Sequence, residues 1–159
     1  MKCSTCGYLE HEGRYLMMLR NAKANDVNSG KWIGVGGKFE QNETPRQCMK
    51  REIQEETGIT LSLEDLQFRG ILYFHYDRDE EEKIWIYTAN CRSDHFIPCD
   101  EGELHWIQKD EILHLPLWEG DRIFLDTLLK DEEKTFCLDL YYDDKGNLIF
   151  HKQRETEHE

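Results

Sequence analysis

Positive charge is scarce in this chain. Twenty Lys and Arg stand against 33 Asp and Glu, a net charge of −13. That balance argues against a nucleic-acid polymer or an anionic membrane surface as a partner. It does not argue against a nucleotide, because a bound cation reverses the local sign. Long apolar runs are missing too, and none approaches the ~20 residues that a membrane-spanning helix needs. The first residues show no charged segment leading into an apolar one, so no signal peptide is expected. Internal repeats are absent. Six cysteines occur, but only Cys3 and Cys6 form a Cys-x-x-Cys; His11 is near, yet no second pair exists to complete a zinc site. Scattered through a domain that needs no staples, they read as reduced thiols in a cytoplasmic protein. What remains is a 159-residue chain, 38% hydrophobic and 33% charged, which is the make-up of one globular α+β domain with a real core. The domain is expected over 1–152, and 153–159 reads as a polar, disordered tail.

The stretch from Gly36 to Ile59 carries the strongest local signals. Thr44 suits a helix N-cap, Pro45 the first helical position, and Gln47 the reciprocal position of a capping box. Gly58 suits the stop. The spacing predicts a helix over about 45–57. At ~100° per residue, Glu52, Glu55 and Glu56 fall within an arc of about 100°. Like charges so placed repel one another, and a hard divalent cation, Mg²⁺ or alternatively Mn²⁺, is their natural counter-charge because it prefers oxygen ligands. Just before the helix, Gly34, Gly36 and Gly37 allow a ligand to approach the backbone, and Lys38 adds a point charge for an anion. Carboxylates suited to Mg²⁺ beside a loop suited to phosphate point to a phosphate-ester or phosphoanhydride site. A solvated acidic helix would explain neither the glycines nor their spacing.

Gly37, five residues, Glu43, seven residues and then Arg51-Glu52-Ile53-Gln54-Glu55-Glu56-Thr57-Gly58-Ile59 resembles the Nudix box at every specified position. With Gly36-Gly37-Lys38, the chain is similar to the MutT-type nucleoside triphosphate pyrophosphatases from about residue 5 to about 150. The resemblance implies a Nudix α/β/α sandwich with a mixed sheet between helices. It implies Mg²⁺-dependent hydrolysis of a nucleoside diphosphate linked to another group. Most specifically it implies a nucleoside triphosphate such as 8-oxo-dGTP, cleaved to monophosphate and pyrophosphate by a monomer or homodimer. Under it, Glu52, Glu55, Glu56, the Gly36 carbonyl and Glu101 are the metal ligands, with Glu103 as the alternative to Glu101. Glu52 is the expected base, and Arg51 an orienting partner of Glu43.

Arg20 and Lys23 then fall where basic residues meet phosphates, beside Gly37 and Lys38. Trp118 and Asp121 fall where relatives stack on and hydrogen-bond the base. Ile33 departs from the oxidised-purine pattern, which has an Asn there. A dinucleoside polyphosphate hydrolase, with Tyr76 as its marker, and a non-catalytic nucleotide-sensing module are the alternatives.

The remaining elements follow from pattern. A hairpin is expected over 2–20 around Glu12-Gly13, with a polar loop over 21–31 bordering the pocket. Further strands are expected at 32–35, 68–76 and 83–91, at Trp106-Ile107, and at 136–142 and 148–152. A helical turn is expected over 109–113 and a last helix over about 121–130, with Ile123, Phe124, Leu128 and Leu129 toward the core.

Overall fold

The helix signals act as read. The computed structural model describes residues 1–22, 25–130 and 132–159. Helix α1 spans Pro45–Thr57, and its two capping side chains bond reciprocally. The Thr44 hydroxyl accepts the Gln47 N–H at 3.1 Å, and the Gln47 side chain accepts the Thr44 N–H at 3.0 Å. Gly58 ends the helix in the left-handed region (φ 76°), where a side chain would be strained.

Among the described residues the strands are β1 (Lys2–His11), β2 (Arg14–Leu19), β3 (Trp32–Ile33), β4 (Val35–Lys38), β5 (Gln67–Tyr76), β6 (Glu82–Asn90), β7 (Glu103–Gln108), β8 (Phe136–Tyr142) and β9 (Leu148–Gln153). Helix α2 spans Glu119–Leu129. The main path of the sheet runs β3-β2-β1-β6-β5-β8-β9, with β4 against β1 and β7 against β2. The sheet is mixed: β1 with β6 and β5 with β8 are parallel, and the other pairs are antiparallel.

Strand alternation sorts the core into two layers. Tyr8, Tyr15, Met17, Leu72 and Ile86 join Phe124, Leu125 and Leu128 of α2 in one cluster. Their neighbours Leu9, Leu16, Met18, Ile71 and Tyr87 join Met49 and Ile53 of α1 in the other. One helix therefore covers each face, which is the sandwich expected. Met49 and Ile53 are fully buried, and burying such a side chain stabilises the fold by about 1.5–3 kcal/mol.

Three expectations are revised. The run Trp32–Val35 is not one strand. It breaks at Gly34, because β3 pairs with β2 while β4 steps across to β1. The last helix begins two residues earlier than expected, with Trp118 as its N-cap, so Asp121 is its third residue. The tail expected to be disordered lies against the sheet and α1. Arg154 donates to Asp139 at 2.6 Å, and Glu157 accepts the Tyr73 hydroxyl. Glu159 accepts both Arg46 (2.7 Å) and the Tyr87 hydroxyl (2.6 Å). Its acidic residues find cations and phenols, which a reading of the tail's own polarity does not show. Among the described residues no helix is long and apolar enough to cross a membrane.

Candidate active site

Strand β4 lays the glycine stretch along the first half of β1, with Gly36 opposite Cys6 and Gly37 opposite Thr5. Helix α1 packs across it. A Cβ at Gly37 would lie 2.5 Å from the carboxyl carbon of Glu52, so only glycine lets that carboxylate rest on the strand. The Gly36 N–H donates to Glu56 Oε1 at 2.7 Å, tying the far end of the helix face to the same strand.

Arg51 is the hub. Its Nε donates to Glu43 Oε1 at 2.5 Å and its Nη2 to Glu43 Oε2 at 3.0 Å. Its Nη1 reaches Glu52 at 2.8 Å and Glu55 at 3.2 Å, and Nη2 also reaches the Lys38 carbonyl at 3.1 Å. The guanidinium bond holds the Glu43 carboxyl down at about 2. Glu52 moves the other way, raised by burial against the pull of Arg51. Glu56 is raised to about 8, chiefly by burial and further by the charges of Glu101 and Glu52, while the Gly36 N–H opposes the rise. Glu101 stands on the loop before β7 and accepts Arg20 Nη1 at 3.4 Å.

Among the described residues no three His, Cys, Asp or Glu side chains form a ready cation cage. Arg51 holds Glu52 and Glu55, and the Gly36 N–H holds Glu56. The donor set offered there is nonetheless all oxygen and crowded with like charge, which fits a hard divalent ion.

A cleft of about 670 Å³ runs from these carboxylates across the sheet. It brings together Arg20, Gly36, Gly37, Lys38, Arg51, Glu52, Glu55, Glu101, Trp118 and Asp121 of the expected set. Glu56 lies buried beside it rather than in its lining. Lys23 lies outside the described residues. Glu103 bonds Asn21 on the surface, and Tyr76 donates to the Asp144 carbonyl; neither lines the cleft.

At the end away from the box, Trp118 is caged by Phe74 (ring centroids 5.3 Å apart), Tyr76 (5.9 Å) and Tyr142 (4.8 Å). Burial raises Asp121 to about 7. Sequence reasoning missed Asp26, Asn28 and Phe74 as part of this lining. The polar loop pointed toward the pocket only in general, and the aromatic strand residue reads as packing.

The Asp121 shift has a sign that can be measured. Its carboxyl is raised in the folded protein above its ordinary value near 3.8. The folded state therefore keeps a proton that the unfolded state releases, and stability falls as pH rises from about 4 to about 7. Asp121→Asn removes that dependence. The stability of the variant relative to the parent is expected to rise across the window by an amount on the order of 2–4 kcal/mol. Urea midpoints at pH 4.5 and 8 check it. An unchanged difference between the two proteins at both pH values would remove burial of the charge as the cause.

The comparisons with known proteins agree with this fold. The family model for the NUDIX domain matches residues 5–128. A mouse protein named oxidized purine nucleoside triphosphate hydrolase is 29% identical over 143 residues, covering 88% of each chain. A Nudix hydrolase of Bacillus subtilis named YvcI, itself uncharacterised, is 32% identical over 112 residues, covering 65% of this chain and 67% of its own. Among solved structures, a MutT protein from Bacillus halodurans superposes with a TM-score of 0.83 at 23% identity, covering 96% of this chain and 97% of that one. The α+β sandwich and the matched family define a hydrolase. The chain belongs to the Nudix hydrolase family.

Proposed function

We propose that this chain hydrolyses a purine nucleoside triphosphate to the monophosphate and pyrophosphate with Mg²⁺, Mn²⁺ being the alternative ion, and that oxidised purines such as 8-oxo-dGTP are its preferred substrates. One observation carries the reading: a single cleft has box carboxylates and a glycine strand at one end and an indole with a carboxyl group at the other. The cleft volume is in the range of small-ligand sites. The mouse relative's name supports the base class.

In this reading Glu52, Glu55, Glu56, Glu101 and the Gly36 carbonyl hold the cation. When bound, the ion supplies charge neutralisation for the phosphates and a lowered pKa for the attacking water. Glu52 takes the water proton, its carboxylate fixed between Arg51 and the open face of Gly37. Arg20, Lys23, Lys38 and the Gly37 backbone meet the phosphates. Trp118 stacks on the base and Asp121 bonds its edge. The six cysteines, free thiols throughout, suit a reducing cytoplasm. The partner is a nucleotide, not a nucleic-acid polymer or a membrane, and the protein acts as a monomer or homodimer.

The test is a product assay with Mg²⁺ over 8-oxo-dGTP, the ordinary nucleoside triphosphates, diadenosine polyphosphates and ADP-ribose. The expected outcome is monophosphate plus pyrophosphate, with the highest kcat/KM for 8-oxo-dGTP. A dinucleotide preference would keep the phosphoanhydride chemistry and discard the substrate. Binding without turnover of any compound would indicate a sensing module.

A further inference from the structure

The loop between β2 and β3 reaches the far end of the cleft through one side chain. Asn28 is half-buried and lines the cleft. Its Oδ1 accepts the indole N–H of Trp118 at 2.6 Å, across 90 residues of sequence. An indole nitrogen only donates, so the oxygen end of the amide must be the one that faces it. The amide NH₂ is thereby left over. Among the described residues it has no hydrogen-bond partner.

The position is well held. The Asn28 backbone N–H donates to Asp26 Oδ1 at 3.2 Å, and Asp26 Oδ2 accepts Arg20 Nε at 2.8 Å. Lys31 Nζ stands 4.6 Å from the centroid of the same indole. The neighbouring lining, Ile33, Leu72, Phe74 and Phe124, offers no polar side-chain atom. The Tyr8 hydroxyl, buried in that lining, and the Asp121 carboxyl when protonated both donate or accept as required. Neither by itself distinguishes a carbonyl from an amine. The Asn28 NH₂ does, because with its oxygen committed to Trp118 it is purely a donor.

We propose that Asn28 is a specificity-determining residue of this cleft: its amide NH₂ donates to a carbonyl on the edge of the bound base, selecting keto purines over amino purines. The proposal rests on the reading of the substrate as a purine nucleoside triphosphate. It adds which base edge is chosen and by which atom.

The pair dITP and dATP isolates the choice. The two share sugar, phosphates and ring skeleton, and differ in a C6 carbonyl with N1–H against a C6 amine. The parent protein is expected to favour dITP in kcat/KM by about tenfold, the scale of one good base-edge contact. Asn28→Asp keeps the acceptor for Trp118 and exchanges the donor for a second acceptor. It is expected to lower the dITP:dATP ratio about tenfold, with the change carried mainly by KM. Asn28→Leu removes both groups and is expected to raise KM for both nucleotides. A residue that only holds Trp118 would leave the ratio in Asn28→Asp at the parent value, because aspartate keeps the acceptor, and would impair only Asn28→Leu.

A ratio within twofold of the parent value in Asn28→Asp, or a parent protein without a dITP preference, overturns the proposal. The second outcome needs no variant to fold, and melting curves accompany the first. Turnover of both nucleotides with a ratio near one rejects Asn28 alone. Absence of turnover on any nucleoside triphosphate rejects the substrate reading, and this proposal with it.

Discussion

Glu56→Gln is expected to lower kcat by roughly 10²–10⁴-fold, the scale for losing a positioned acid–base or charge-stabilising group, while leaving the fold intact. The structure separates the two effects. Glu56 is 6% exposed and accepts the Gly36 N–H through Oε1. Glutamine retains that oxygen and fills the same volume. It removes a carboxyl that burial and the neighbouring Glu101 and Glu52 already disfavour in its charged form. Stability is therefore expected to change by no more than about 1 kcal/mol. What glutamine cannot supply is the negative oxygen that a divalent ion would draw into its shell.

A second readout follows. Anything that binds only the folded state raises its melting temperature, so millimolar Mg²⁺ is expected to raise Tm in the parent and much less in Glu56→Gln. Parental kcat in the variant would remove Glu56 from the reaction. An equal Mg²⁺ shift in both proteins would remove it from the ion site.

The helix that bears these carboxylates was readable because its signals are local. Thr44, Pro45, Gln47 and Gly58 specify both ends within the helix's own sequence. The Glu43–Arg51 pair was also within reach, being joined by a fixed spacing. Tertiary choices were not. Nothing in Trp32-Ile33-Gly34-Val35 announces that the strand changes partners at Gly34, because both halves read as apolar and extended. Helix α2 starts where Gly120 meets the Tyr142 hydroxyl, whose oxygen accepts the Gly120 N–H at 2.7 Å. No capping side chain marks that start, so the helix appeared in sequence to begin at Asp121. The Asn28–Trp118 bond joins two segments 90 residues apart, and a polar loop residue has no periodicity to reveal its target. The tail misled for a related reason. Its acidic residues look solvated until the sheet supplies Tyr73, Tyr87 and Arg46.

Arg51→Ala tests the other half of the site, and its expected cost falls on stability as well as rate. The side chain bridges Glu43, Glu52 and Glu55 and closes on the Lys38 carbonyl. Glu43 and Glu52 are themselves mostly shielded, at 13% and 14% side-chain exposure. Alanine leaves those carboxylates facing one another with no cation between them. Breaking a fully buried pair in this way costs about 3–5 kcal/mol. Partial solvent access and the exposure of Glu55 reduce that, and about 2–3 kcal/mol is expected at pH 7. A fall in kcat of roughly 100-fold should accompany it, because displacement of Glu52 by about 1 Å is enough.

The pH dependence identifies the cause. The Arg51 bond holds the Glu43 carboxyl at about 2, below its ordinary value near 4.5. Its contribution is thus complete above about 4.5 and lost as pH falls through about 2. The stability gap between parent and Arg51→Ala should therefore narrow between pH 4.5 and pH 2, because acid protonates the carboxylate whose partner the variant lacks. Arg51→Lys keeps the charge but not the planar fork, and should fall between the two. Urea midpoints at pH 7 and pH 3 read the difference. A gap of the same size at both would mean that Arg51 stabilises the helix by packing alone, and its role as the electrostatic hub of the carboxylate cluster would be withdrawn.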